Sequence, residues 1–132
     1  MDCPVCNQAM ITLELSGVET DCCVSCRGVW LDAGELEILV LDRAKAQTLL
    51  ASFQEARGLR ERPRACPICD KRMAKVRAGT GGPVIDRCPR GHGLWFDQGE
   101  LQAVLDRADL GEGHPIKALL QEMFGQRQTN PD

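Results

Sequence analysis

Cys3-Pro4-Val5-Cys6 and Cys23-Val24-Ser25-Cys26 are two C-x2-C pairs separated by residues 7–22. Cys66-Pro67-Ile68-Cys69 is followed, after residues 70–87, by Cys88-Pro89-Arg90-Gly91-His92. Thiolate sulfur and imidazole nitrogen are the donors of tetrahedral structural Zn2+ sites, and two short knuckles joined by a hairpin bring four of them to one point. The spacing therefore predicts two zinc ions per chain. Cys3, Cys6, Cys23 and Cys26 would hold one, and Cys66, Cys69, Cys88 and His92 the other. The same residues could instead form disulfides or ligate an iron–sulfur centre. Disulfides belong to oxidising compartments, and the opening Met1-Asp2-Cys3-Pro4-Val5-Cys6 has neither the basic nor the apolar region of a secretory leader. The longest aliphatic run, Ile38–Leu41, is far too short to span a bilayer. A soluble, cytoplasmic chain with reduced thiols and no membrane partner is expected.

Cys22 sits beside Cys23 and competes for its place. Cys23 is seven residues before Trp30, as Cys88 is seven before Trp95, and Asp21 and Asp86 share that register. This selects Cys23 as the ligand. Neighbouring side chains of a strand point to opposite faces, so Cys22 should point away from the metal, as a spare thiol.

Each ligand set closes with the same phrase, Gly28-Val-Trp-Leu-Asp-Ala-Gly-Glu-Leu36 and Gly93-Leu-Trp-Phe-Asp-Gln-Gly-Glu-Leu101. Paired acids beside a Trp suggest an active site, but a capping box explains them. Asp32 and Asp97 would be helix N-caps, with Glu35 and Glu100 reaching back from N3. Trp30 and Trp95 would pack over the hairpin and the first helical turn. With no Tyr, three Phe and two Trp in 132 residues, few other side chains offer comparable buried area. Four protein donors leave a zinc no open coordination position, so no catalytic residue is assigned.

The elements that must position these residues follow. Gly79-Thr80-Gly81-Gly82-Pro83 reads as a hairpin loop. A first helix should run from about Gly34 towards Arg57, with Leu36, Leu39, Val40, Leu49, Leu50 and Phe53 apolar and Gly58 as C-cap. A second should cover about Gly99 to Ala108. A third should start with Pro115 at N1 and reach Phe124, burying Ile116, Leu119, Leu120, Met123 and Phe124 against the first helix or another copy of the chain. His114 reads as an ordinary residue before that helix, and the tail from Gly125 should be disordered. The fold class is a small, metal-dependent α+β fold: two tandem zinc ribbons built on β-hairpin knuckles, each followed by an α-helix, plus a C-terminal helix. Its segments are residues 1–42 (first ribbon and helix start), 43–63 (helical and basic linker), 64–108 (second ribbon and helix) and 109–132 (C-terminal helix and tail).

The motifs CPVC…CVSCRGVWLDAGEL and CPIC…CPRGHGLWFDQGEL resemble the transcription factor IIB-type zinc-ribbon family of short bacterial proteins. The resemblance covers roughly residues 1–40 and 64–105. It implies a zinc ribbon with a short following helix, and the eight ligands named above. Cys22 and the long first helix depart from the family pattern.

The two copies differ most in charge. Residues 1–42 carry eight acids and one base (1 − 8 = −7), whereas residues 57–90 carry ten bases and three acids (10 − 3 = +7). The first reading of function is a non-enzymatic zinc-binding adaptor acting through contacts with an unidentified protein or with itself. The alternative is nucleic-acid binding through Lys71, Arg72, Lys75, Arg77, Arg87 and Arg90 of the basic second ribbon. A redox sensor or enzyme is the third.

Overall fold

The hairpin formed by Ile11–Leu15 and Val18–Cys22 turns on Ser16 and Gly17, with φ of 49° and 85°. Two consecutive residues at positive φ give the turn whose twist matches that of antiparallel strands. A computed structural model describes residues 1–108, 110 and 114–121. Its elements are β1 (Ile11–Leu15), β2 (Val18–Cys22), β3 (Val29–Asp32), α1 (Glu35–Val40), α2 (Arg43–Ala51), β4 (Phe53–Glu55), β5 (Ala74–Ala78), β6 (Val84–Arg87), β7 (Gly93–Phe96), α3 (Glu100–Asp106) and α4 (Pro115–Leu120). No helix among the described residues is long and apolar enough to cross a membrane.

The two ribbons are not separate beads. β3 of the first pairs antiparallel with β7 of the second, Trp30 opposite Trp95, and all strands join one seven-stranded sheet ordered β1-β2-β3-β7-β6-β5-β4. Alternation along the strands gives this sheet two different faces. One carries Leu15, Val18, Cys22, Val29, Leu31, Val76, Ile85 and Phe96, which form a single core with the apolar sides of the helices. The other carries Trp30 and Trp95, packed with Met73 and the cysteines of both knuckle pairs. Cys22 thus points into the helix-side core, 2% exposed, with Thr20 Oγ1 3.6 Å from its sulfur.

The expected first helix is broken. α1 ends at Val40, and Leu41 turns left-handed with φ 62°. Asp42 is extended and its carboxylate accepts the Lys45 N–H at 3.0 Å, so it caps a new helix rather than continuing the old one. α2 ends at Ala51. Phe53–Glu55 then pairs with β5, which gives its backbone groups ladder partners that a lengthening helix would have left to water. Gly58 lies well beyond that helix end and is not its cap; Ser52 is. Within the expected 43–63 linker the helix therefore stops at Ala51, and the strand β4 follows it.

α4 buries Ile116 and Leu120 against α3 and β1. His114 fastens its start. Its Nδ1 accepts the Ile116 N–H at 3.2 Å, and its Nε2 lies 2.9 Å from the Val40 carbonyl at the end of α1. Leu119 is half-buried. Met123, Phe124 and the expected disordered tail lie outside the described residues.

Candidate metal centres

Each knuckle is a tight turn closed by its own backbone. The N–H of Asn7 donates to the Cys3 carbonyl at 2.9 Å, that of Arg27 to Cys23 at 2.8 Å and that of Asp70 to Cys66 at 2.8 Å. These three donors follow the second cysteine of their pairs and take φ of 62°, 65° and 65°. Asn and Asp tolerate that left-handed conformation better than other side chains. Asn7 and Asp70 were thus a readable turn signal that the ligand spacing overshadowed. In the longer C-x3-H turn, Gly91 takes the left-handed place, with φ 79°.

The turns aim amide N–H groups at sulfur. Val5 and Cys6 donate to Cys3 Sγ, Ile68 to Cys66 Sγ and Arg90 to Cys88 Sγ, all at 3.3 Å. Such bonds favour the thiolate. Burial opposes ionisation of Cys88, yet the His92 and Arg90 amides and the neighbouring thiols outweigh it and bring the thiol down to about 6. Cys23 reaches about 7 in the same way. Burial instead pushes Cys66 up to about 11 and raises Cys26. Thiols this close resist ionising together, and a divalent cation among them removes that conflict.

The donor geometry fits zinc. The four ligand atoms of Cys3, Cys6, Cys23 and Cys26 lie within 4.8 Å of one another, as do those of Cys66, Cys69, Cys88 and His92. Cys3 and Cys26 Sγ are 3.7 Å apart, and so are Cys69 and Cys88. A tetrahedron with Zn–S near 2.3 Å has edges of about 3.8 Å. His92 turns Nδ1 inward, 3.5 Å from Cys88 Sγ and 4.0 Å from Cys66 Sγ. The chain has two four-donor sites suited to two zinc ions.

Comparison with protein families agrees. The model of the transcription factor zinc-finger family, a zinc ribbon, matches residues 2–50 and 65–107, one stretch for each site. The chain belongs to that family. No curated protein and no solved structure matches it.

In this zinc-finger protein the repeated phrase works differently from the expected capping box. The residues before α1 and α3 are Gly34 and Gly99, left-handed, and no side chain caps either helix. Asp32 and Asp97 are the last strand residue and the one after it, not N-caps. Their carboxylates accept the indole N–H of Trp30 at 2.8 Å and of Trp95 at 3.0 Å. The glutamates do reach back, as expected: Glu35 and Glu100 accept the N–H of Asp32 and Asp97 at 2.8 and 2.9 Å. Each indole is wholly buried with its polar atom satisfied. The tryptophans also cross over. A Cβ on Gly93 would lie 2.6 Å from Trp30 Cζ2, and one on Gly28 would lie 2.1 Å from Trp95 Cζ2. Each ribbon's Trp therefore lies against the other ribbon's knuckle, where Gly28 and Gly93 carbonyls accept the N–H of Cys23 and Cys88.

The acids around the tryptophans are treated unequally. In the second ribbon buried Asp86 forms an ion pair with Lys75 at 2.6 Å, and Arg64 holds Asp97 at 2.8 Å. In the first ribbon Thr12 occupies the place of Lys75 and meets Asp21 only through a hydroxyl at 3.4 Å. Burial, then Asp32, raises Asp21 above the usual carboxylate range.

Glu100 is pushed up to about 7, by burial first and then by Asp97, Glu61 and Asp86, although the Asp97 N–H opposes the shift. A carboxyl with a raised folded-state pKa binds its proton more tightly folded than unfolded. It costs stability as pH rises from about 4.5 to about 7, and the loss is complete above that window. Glu100→Gln keeps an acceptor for the Asp97 N–H without the charge. We expect it to melt higher than the parent at about pH 8, with the gap closing towards about pH 5. Thermal melts of the zinc-loaded protein across that range are the check.

The six basic residues expected to meet nucleic acid do not share one face. Lys75 and Arg77 lie on the tryptophan side of β5, and Lys75 is held by Asp86 and Glu61. Arg77 donates to the Gly82 carbonyl at 3.2 Å. Arg87 is exposed on the helix side, where it borders a cleft with Phe53 and Leu94. Lys71, Arg72 and Arg90 are exposed on the knuckles. Counting charge along the sequence hid the strand alternation that separates them.

Proposed function

We propose that this protein is a non-enzymatic, zinc-built adaptor that works through protein–protein contacts. The observation that carries the reading is an uncovered apolar surface at the elbow between α1 and α2, where Ile38 is 54% and Leu41 60% exposed. Exposed apolar patches rimmed by polar residues are typical of docking surfaces. Against an enzyme stands the closed donor set of each site, since a catalytic zinc keeps a position for water or substrate. A nucleic-acid reading draws on the exposed Lys71, Arg72, Arg87 and Arg90. Capture of partners from native extract, with and without nuclease, separates the two. The adaptor should retain its partner after nuclease treatment. Loss of every partner with nuclease would favour nucleic acid, as would affinity for a DNA duplex that falls steeply between about 50 and 200 mM salt.

A further inference from the structure

The sheet has two edges, and the two ribbons treat them differently. Counting from Cys23 and Cys88 makes β1 the counterpart of β5, with Glu14 standing where Arg77 stands and Thr12 where Lys75 stands. The edge of β5 is covered by β4, antiparallel, with Gln54 opposite Arg77. The Ala56 N–H donates to the Lys75 carbonyl at 2.9 Å, and the Gly79 N–H to the Ser52 carbonyl at 3.2 Å. Among the described residues no strand covers β1, which ends the sheet.

Residues bonded to one neighbour and residues free for the other alternate along an antiparallel strand. Leu15 and Val18 flank the two-residue turn and bond to each other, so Glu14 and Thr12 turn their N–H and C=O groups off the edge. Arg77 and Lys75 give the same groups to β4. Val76 is wholly buried in that arrangement, whereas its counterpart Leu13 is half-buried and Ile11 is exposed. Edge strands are commonly kept short, bulged or guarded by Lys or Pro, because an unguarded edge pairs with other chains. β4, at the opposite edge, has three residues. β1 has five, in unbroken register, with neither Lys nor Pro.

Charge selects the occupant. The edge of β5 carries Lys75 and Arg77, and the chain that covers it brings an acid, Glu61, 3.4 Å from Lys75. On β1, Glu14 lies directly opposite Glu19 of β2. Like charges so placed repel, and among the described residues neither has an ion pair. A second copy pairing through β1 would add its own Glu14 and Glu19 to this edge. The side-chain pattern follows from β4, where Phe53, opposite Ala78, packs against the helix-side core.

We infer that the open edge of β1 receives an extended, basic segment of a partner protein as an eighth strand. The segment runs antiparallel to β1. A Lys or Arg sits opposite Glu14, beside Glu19, and the apolar residues before and after it face Leu13 and Leu15. This rests on the adaptor reading and gives it a second surface and a partner class.

The test uses the zinc-loaded full chain and a short peptide of alternating valine and lysine. Three controls are the valine–glutamate peptide, the peptide with its lysine amide nitrogens methylated, and the peptide with its valine amide nitrogens methylated. With lysine opposite Glu14, the lysine amides face β1 and the valine amides face away. Methylated lysine amides should weaken binding about tenfold, as should exchange of lysine for glutamate, and methylated valine amides far less. Amide shifts should centre on Thr12, Leu13, Glu14 and Ser16. In the free chain the Glu14 amide should exchange with solvent much faster than that of Leu13, and the peptide should slow it. Glu14→Lys changes an exposed side chain; it should keep both zinc ions and reverse the preference, so that the valine–glutamate peptide binds more tightly. Equal effects of the two methylations, no preference for lysine, or shifts centred elsewhere would overturn the inference. So would a Glu14 amide already protected in the free chain, because the edge would then be covered by a second copy or by the chain itself. If the peptide results fail while a nuclease-resistant partner is still captured, the adaptor reading stands and this inference alone falls.

Discussion

Cys69→Ser is expected to cost the protein both zinc ions and the whole sheet, not the second ribbon alone. Zinc binding in such sites is worth about 10–16 kcal/mol and is inseparable from folding. A domain of ordinary stability holds only about 5–15 kcal/mol in total. Loss of the second site releases Cys88 and His92, the two ends of the turn that joins β6 to β7. β3 then loses its partner strand, and Trp30 loses the Gly93 backbone it lies against. The helix-side core draws on both ribbons, Leu15 and Val18 from one, Val76 and Ile85 from the other. Metal analysis should find well under one zinc per chain, and dispersed amide signals should vanish from residues 1–32 as well. A variant that kept one tightly bound zinc and a folded first ribbon would show that the two halves stand alone.

The second large effect belongs to a residue with no side chain. Gly93→Val should destabilise the zinc-loaded protein by about 3 kcal/mol or more, at the upper end of what overpacking costs. The Cβ of a new side chain would sit 2.2 Å from the Leu31 carbonyl oxygen and 2.6 Å from the Trp30 ring. A strand backbone and a wholly buried indole are the neighbours least able to move. Gly34→Ala is the instructive contrast. Gly34 has φ 90° and nothing within 4 Å of its would-be Cβ, so only backbone strain of about 1–2 kcal/mol is at stake. Denaturant unfolding should rank the pair with Gly93→Val clearly worse. Equal losses would mean that conformational freedom, not space for the indole, is what the repeated glycine provides.

The metal ligands and the doubling were legible because sulfur and imidazole donors need fixed spacings, and a spacing is visible in one dimension. Cys22 was separable from Cys23 by the alternation of a strand, and it does lie in the opposite core. The helix after the first phrase was misjudged because Leu49, Leu50 and Phe53 keep helical periodicity. The Asp42 cap that divides it is a single residue, and the attraction of Phe53–Glu55 is an unpaired edge of β5 far along the chain. The phrase itself showed Asp and Glu at capping distance. Yet the hydrogen bond Asp32 accepts comes from an indole two residues earlier, on the same face of the strand. Local spacing admits both partners, and burial of the indole decides between them. The joining of the ribbons left no local trace except the conserved spacing of Gly and Trp within each copy. Its meaning requires seeing one copy against the other.

The strand order is symmetric about its middle. Omit β4 and the sheet reads β1-β2-β3-β7-β6-β5, the same sequence of equivalent strands from either end. Trp30 faces Trp95 across the middle, and each repeat offers the other the same patch that it receives. That is the geometry of an isologous contact about a two-fold axis. Within one polypeptide the two repeats therefore meet as the subunits of a homodimer would. Being joined in one chain, they need not be identical: one is acidic and the other basic, one has Cys26 as its fourth ligand where the other has His92, and Leu120 lines one cleft while the other stays more open. A symmetric pair of separate subunits would have had to present two copies of the same surface; the fused chain can keep one half for its own structure and offer the other outward.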